Sequence, residues 1–261
     1  MLLRQMTKTA AMEAAGNLGE SRLFLIGYLM RFLRVMALLA IWHAVLGGRS
    51  AVSGMTLPAT LTYTLVSEAF SELLSCRTGL EGAFWDGSIT MRFLRPMSLF
   101  SQFAAEMMGP ASVGLVLFSL PLLLTAPLLG VSPLPVSPAA GILFVLSLGL
   151  AVSVGLALEY LLSGVAVALE LHPYTFNTVR GAIGMVLSGA FLPLAFLPWG
   201  MGKVFAWLPF AAQASAPLQI YIGTGSPLFL LAQQTGWSLL LWPLAGWLWR
   251  RNRERMVAYG G

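Results

Sequence analysis

Six apolar stretches, each close to or above bilayer-crossing length, constrain this chain more than any motif in it. They run from about Leu23 to Leu46, Leu57 to Cys76, Met107 to Leu129, Ala139 to Leu169, Val179 to Leu197 and Pro227 to Trp249. A helix of about 20 residues matches a hydrocarbon core ~30 Å thick. The second stretch is the least apolar, and the fourth is long enough to tilt or project. Of 261 residues, 57% are hydrophobic and 10% charged, where a soluble domain carries about 25% charged residues. One globule of this size cannot bury so much apolar surface, so lipid must be the solvent for much of it. The expectation is an all-α integral membrane protein of six transmembrane helices, with 1–261 forming a single transmembrane domain.

Lys and Arg set the orientation. With the N-terminus cytoplasmic, Arg4, Lys8, Arg22, Arg31, Arg34, Arg77, Arg92, Arg95, Arg180, Arg250, Arg251, Arg253 and Arg255 fall inside or at the inner interface. Only Arg49 and Lys203 of the fifteen basic residues fall outside. Both termini are then cytoplasmic. The net charge of +5 is accounted for by anionic headgroups of the inner leaflet, and calls for no nucleic acid.

Four segments lie between or beyond the stretches. Residues 1–22 are too polar for the core of a secretory signal, yet Leu2, Leu3, Met6, Ala10 and Ala14 recur near helical spacing. They make either an amphipathic helix lying on the membrane or a solvated tail. Residues 77–106, RTGLEGAFWDGSITMRFLRPMSLFSQFAAE, form a polar, basic inner loop. Glu81, Asp86, Arg92 and Arg95 stand there beside Phe84, Trp85 and Phe93. That mixture suits an interfacial helix or a helix docked into a cytosolic partner. Residues 198–226 are too apolar for a wet loop and too broken by Pro198, Pro209 and Pro217 for a span, which predicts an outer re-entrant segment covered by protein. Residues 250–261 are a basic tail.

The chain carries no G-x-x-x-x-G-K-[ST] loop, so any ATP-driven role requires a separate ATPase. Cys76 is alone, excluding disulfides and multi-cysteine metal sites. His43 and His172 lie in no metalloprotease pattern. The expectation is a chain with no enzymatic activity and no cofactor or metal of its own. The intramembrane acids are the sharpest polar feature. Glu68 and Glu72 share a helix face with Thr60 and Thr64, widened by Ser67, Ser71 and Ser75. A carboxylate at the bilayer centre costs about 3 kcal/mol, so these groups should face protein or water. Glu68, Glu72, Thr64 and the solitary Glu159 are candidates for a transport path or a site for a cationic or amphiphilic substrate. The alternative is a polar helix contact, with Glu72 reaching inward to Arg77. Gly181, Gly184, Ser188 and Gly189 permit close helix approach, within the chain or to a second subunit.

Three stretches carry a resemblance that covers nearly the whole chain: WDGSITMRFLRPMSLF between the second and third spans, GAFLPLAFLPWGMGKVFAWLPFAA between the fifth and sixth, and the basic end WRRNRERM. Their order resembles the six-span permease subunits of ATP-binding-cassette exporters, and in particular small bacterial ABC-2-like permeases. The resemblance implies a bacterial inner-membrane protein that pairs with an identical or related permease. It also implies two cytosolic ATPases, which hold the ATP and magnesium. It further implies a coupling helix within Leu80–Arg95, with Glu81, Asp86, Arg92 and Arg95 as candidate ATPase contacts, Arg180 as a lesser one, and residues 1–22 as an interfacial elbow helix. The short N-terminus and missing outer domain depart from the polysaccharide exporters. Two other classes remain open on the residues alone: an ion-coupled carrier using Glu68, Glu72 and Glu159, and a scaffold that docks a cytosolic partner without transport.

Overall fold

The computed structural model describes the backbone of residues 2–19 and 21–258, and the side chains of residues 4–16 and 26–252. The side chains of Leu2, Leu3, Arg22, Leu23, Arg253 and Arg255, all used in the reading above, lie outside the described residues. Among the described residues every regular element is helical, and the one extended pairing is an isolated bridge between Val52 and Met55.

Among the described residues, three helical segments are long and apolar enough to cross a membrane: Ile26–Leu46, Leu99–Leu129 and Pro138–Ala168. The first belongs to helix α2 (Ser21–Leu46), which follows α1 (Leu2–Gly19). The expected second stretch is not one helix. It breaks at Phe70 into α3 (Leu57–Ala69) and α4 (Ser71–Ser75), and ends at Cys76 in a left-handed turn (φ 41°). The inner loop carries α5 (Leu80–Trp85) and α6 (Ile89–Arg92). The third helical segment starts eight residues before its apolar stretch, because Ser98 caps it by accepting from the Ser101 amide at 3.2 Å. It comprises α7 (Leu99–Gly114), a π-helical turn (Leu115–Ser119), α8 (Leu120–Thr125) and a final 3₁₀ turn to Leu129. Helix α9 (Pro138–Ala168) has 31 residues, roughly 46 Å at 1.5 Å each, which exceeds the hydrocarbon core.

The fifth stretch lies earlier than its apolar residues indicate. Helix α10 is Pro173–Leu187, six residues upstream of the expected start, with Pro173 at the first position and the His172 ring accepting from the Tyr174 amide at 3.2 Å. Gly189 at φ 74° closes it. Beyond it come two 3₁₀ turns (Leu194–Phe196 and Pro198–Gly200) and then the short helices α11 (Met201–Phe205), α12 (Pro209–Gln213) and α13 (Ser215–Ile222). Helix α14 (Pro227–Ala258) outruns the apolar stretch into the basic tail, since Arg and Glu are good helix formers whatever their hydropathy.

Helix α9 is the centre of the fold: α14 packs along it, and α4, α5, α12 and α13 close its other sides. At one end Cys76, Leu80, Phe84, Ile89, Phe103, Tyr160 and Trp249 form a core that welds the inner loop to α7, α9 and α14. A second core joins α2, α3 and α8 through Val35, Trp42, Leu65, Phe118 and Leu122. A third, with Tyr63, Val66, Phe144 and Leu218, seats α13 between α3 and α9. Helix α1 lies along α7. Contact is close because Gly109 is bare: a Cβ there would meet the Ala10 carbonyl oxygen at 2.6 Å.

Broken backbone inside such a fold needs partners, since hydrocarbon supplies none. Neighbouring helices provide them. Tyr63 donates to the Gly189 carbonyl at 2.8 Å and Ser67 to that of Ala190 at 2.7 Å. Gln234, fully buried, donates to Ala212 at 2.8 Å and to Ser147 at 3.1 Å, and accepts from the Ser147 hydroxyl at 2.8 Å. Gln233 reaches the Ala206 carbonyl at 2.6 Å and Trp237 that of Trp207 at 3.0 Å. The segment 188–222 is thus held by side chains of α3 and α14.

Candidate functional site

Helices α2 and α3 run antiparallel, and each contributes a complementary pair. Arg31 and Arg34 are three apart on α2; Glu68 and Glu72 are four apart across α3 and α4. In antiparallel register the two pairs face each other. Arg34 Nε donates to Glu68 Oε2 at 3.0 Å, and its Nη2 makes an ion pair with the same oxygen. Arg31 pairs with Glu72, donates to the Ser71 hydroxyl at 2.8 Å, and lies 4.1 Å from the centre of the Phe118 ring. Gly114 of α7 makes room for the Glu72 carboxylate, which occupies the space a Cβ would fill. The expected Glu72–Arg77 contact is therefore corrected: Arg31 on α2 is nearer in space than the basic residue that follows in sequence. Thr64 is buried, and among the described residues its hydroxyl has no hydrogen-bond partner.

Glu159 is fully buried on α9 and is not solitary in space. The Thr78 amide and hydroxyl each donate to its Oε1 at 2.9 Å, and Arg180 of α10 lies 2.5 Å from its Oε2. The same guanidinium donates to the Cys76 carbonyl at 3.2 Å. Three elements, the α4–α5 turn, α9 and α10, thus meet on one carboxylate. Desolvating two charges is costly unless they are paired and hydrogen-bonded, and here both conditions hold. Arg180, expected as a lesser docking contact, is turned inward with its side chain 12% exposed.

The inner loop divides likewise. Glu81 is buried and accepts from Asn177 Nδ2 at 2.6 Å, tying α5 to α10. Arg92 pairs with Glu106 at 2.5 Å and lies 4.2 Å from the centre of the Phe103 ring; Gln102 donates to its carbonyl at 2.9 Å. Arg95 reaches Glu106 only at 3.5 Å and is half exposed. Asp86 is open to solvent. The Ser88 hydroxyl and then the Ser88 amide, at 2.9 Å, hold its carboxyl below the ordinary range. Trp85 stands edge-on to His172 at 4.8 Å and, with Met91, Phe93 and Leu94, leaves an exposed apolar face around Asp86 and Arg95. The loop is a folded knot with one open face.

Of the residues singled out in the sequence, Glu68, Glu72 and Glu159 come together with arginines, while Asp86 and Arg95 stay on the surface. Arg31, Arg34, Glu106 and Asn177 were not singled out as site residues. Only the 3-residue spacing of Arg31 and Arg34, set against the 4-residue spacing of the glutamates, hinted at the first pair. Among the described residues no three metal-ligating side chains converge.

A comparison with curated proteins finds no match. The family model for ABC-2 family transporter proteins matches residues 28–260, from the second turn of the first apolar helix to the end of the chain. That match takes in the first membrane-crossing candidate from its third residue on, the other two candidates whole, the knot and the broken segment before α14. Membership implies a multi-pass membrane permease that works with an ABC ATPase. This chain belongs to the ABC-2 transporter family.

Proposed function

We propose that this chain is the six-span permease subunit of a bacterial inner-membrane exporter, with both termini cytoplasmic and residues 198–226 re-entrant from the outer face. An identical or related permease completes the pathway. Two cytosolic ATPases bind the ATP and magnesium, and the substrate is hydrophobic or amphiphilic. The permease itself makes and breaks no covalent bond.

The inner knot is the observation that carries this reading. A loop serving only to connect two spans has no reason to bury Leu80, Phe84 and Ile89 in the main core while exposing Trp85, Met91, Phe93 and Leu94 around Asp86 and Arg95. A rigid knob with an apolar, charge-edged tip suits a groove in a partner. Asp86 and Arg95 then meet the ATPase. Glu81 and Arg180 act behind them, because Glu81–Asn177 and Thr78–Glu159–Arg180 tie the knot to α9 and α10. When the ATPases close on ATP, displacement of the knob is passed to those helices, and transport follows from different substrate affinities in the two states. The carrier alternative requires glutamates free to exchange protons. Glu68, Glu72 and Glu159 are each held by an arginine, which favours a structural role for all three.

The test is affinity purification of the tagged full chain from its own membranes in mild detergent, with mass spectrometry of what remains bound. A P-loop ATPase is expected with the wild type and is lost from the Asp86→Arg, Arg95→Glu double variant. Absence of any ATPase under conditions that preserve other membrane complexes overturns the reading.

A further inference from the structure

Two clefts, of about 220 and 360 Å³, share Ser75 and Arg77 in their walls. The first lies between α2–α4 and α10–α12. Its polar floor holds three guanidinium groups, Arg34, Arg77 and Arg180, and one carboxylate, Glu68. That gives 3 − 1, or +2, falling to +1 once the Glu159 partner of Arg180 is included. Arg34 and Arg180 are engaged by Glu68 and Glu159. Arg77 is not engaged: among the described residues it makes no hydrogen bond or ion pair. Its guanidinium rests over bare backbone, 3.5 Å from where a Cβ of Gly181 would stand. Ser67, Ser71, Ser75, Ser188 and Gln213 add neutral polar groups to the lining, and Leu74, Leu158, Met185, Phe191 and Phe210 give the wall its apolar part.

The chemistry of an occupant follows from that asymmetry. A guanidinium presents five donors and no acceptor, and binds phosphate or carboxylate in a forked geometry. Beside it, a cation would meet three like charges and a glutamate already neutralised. The apolar wall continues from the charged floor, so a ligand filling both carries an anionic head and an apolar tail. Of the cationic or amphiphilic substrate expected at the glutamates, the arginines paired with them favour the amphiphilic one.

We propose that this cleft binds the anionic, phosphate-type head of an amphiphile, with Arg77 as its ligand. The inference rests on the permease reading and names the substrate class for it. The head sits at the inner end of the cleft, against Arg77 and Ser75, and the tail lies towards Met185 and Phe191.

Native mass spectrometry of the full chain in neutral detergent tests this with dodecyl phosphate, dodecyltrimethylammonium and inorganic phosphate as probes. Dodecyl phosphate is expected to bind, and Arg77→Gln to weaken it about tenfold, the loss of one charge-assisted contact. Arg77→Lys retains most of the affinity, and the ammonium probe does not bind. Displacement of dodecyl phosphate by phosphatidylglycerol supports the site with a bilayer lipid as the source of the head, and failure to displace supports it with a single-chain solute. Equal binding of dodecyl phosphate to wild type and Arg77→Gln, preference for the ammonium probe, or equally effective displacement by inorganic phosphate overturns the proposal. Arg77 lies off the exposed face of the knot, so ATPase co-purification is expected to survive Arg77→Gln. Equal dodecyl phosphate binding by wild type and Arg77→Gln with the ATPase retained overturns this site alone, whereas absence of the ATPase from the wild type overturns the permease reading.

Discussion

Arg180 and Glu159 show why a charged residue in an apolar helix cannot be interpreted alone. Glu159 has no Asp, Glu, Lys, Arg or His within a helical turn, and its partners come from Thr78 and Arg180, 81 and 21 positions away. Because both groups are buried, removing one leaves the other uncompensated. Arg180→Gln or Glu159→Gln is expected to lower the melting temperature of the purified protein by about 10 °C, corresponding to about 3 kcal/mol. The Glu159→Gln, Arg180→Gln double variant should melt above either single one, since no orphan charge remains. Differential scanning fluorimetry in detergent distinguishes the cases. Additive losses in the double variant would show that the pair is not coupled.

At the scale of elements, helix breaks rather than helix bodies carry the distinguishing features. The break at Phe70 lets Glu68 and Glu72 meet two arginines on a neighbouring helix, and the left-handed turn at Cys76 starts the inner knot. The short helices between Gly189 and Gly223 persist because Tyr63, Ser67, Gln233 and Gln234 satisfy carbonyls that a continuous helix would satisfy itself. Helix α1 depends on one glycine. Gly109→Leu places a side chain where Ala10 and Glu13 already stand, so α1 is expected to detach from α7. Limited trypsin digestion then cuts at Arg4 and Lys8 several-fold faster than in the wild type, and Gly109→Ala shows a smaller acceleration. Unchanged cleavage in both variants would mean that α1 is held elsewhere.

For the molecule as a whole, the exposed apolar residues describe its surroundings. Leu128, Ile142, Val145, Leu228 and Leu239 are each more than two-thirds exposed, and they are distributed over the 3₁₀ turn after α8, α9 and α14 and so are not confined to one patch, as expected of a surface solvated by lipid. The two-sided charge distribution gives the orientation test. Single cysteines replacing Arg49 and Lys203 are expected to react with a membrane-impermeant maleimide in intact cells. Those replacing Arg95 and Arg250 should react only after permeabilisation, and the native Cys76, fully buried, in neither condition. Labelling of Arg95→Cys from outside would invert the topology and remove the knot from the reach of any cytosolic ATPase.

Local information was enough for much of this. The apolar stretches at Leu23–Leu46, Met107–Leu129 and Ala139–Leu169 needed only a count of residues against bilayer thickness, and they appear as helices, the second with its start shifted by the capping residue Ser98. The acidic–Gly–basic loop and the proline-broken segment were likewise visible as interruptions in that pattern, and together they pointed to the family. Hydropathy could not locate the break at Phe70 or the early start of α10, because it averages over the single residues that end helices. Nor could it assign partners. Hydropathy and helical spacing act within a few residues along the chain, whereas Arg31 meets Glu72, Arg180 meets Glu159 and Arg77 is left free only because separate helices pack in one register. Local patterns along the sequence therefore determined which segments are apolar and where most helices form. Tertiary structure alone decided which charges are neutralised and that Arg77, among the described residues, makes no ion pair, because those pairings join residues tens of positions apart whose distances are set by helix packing.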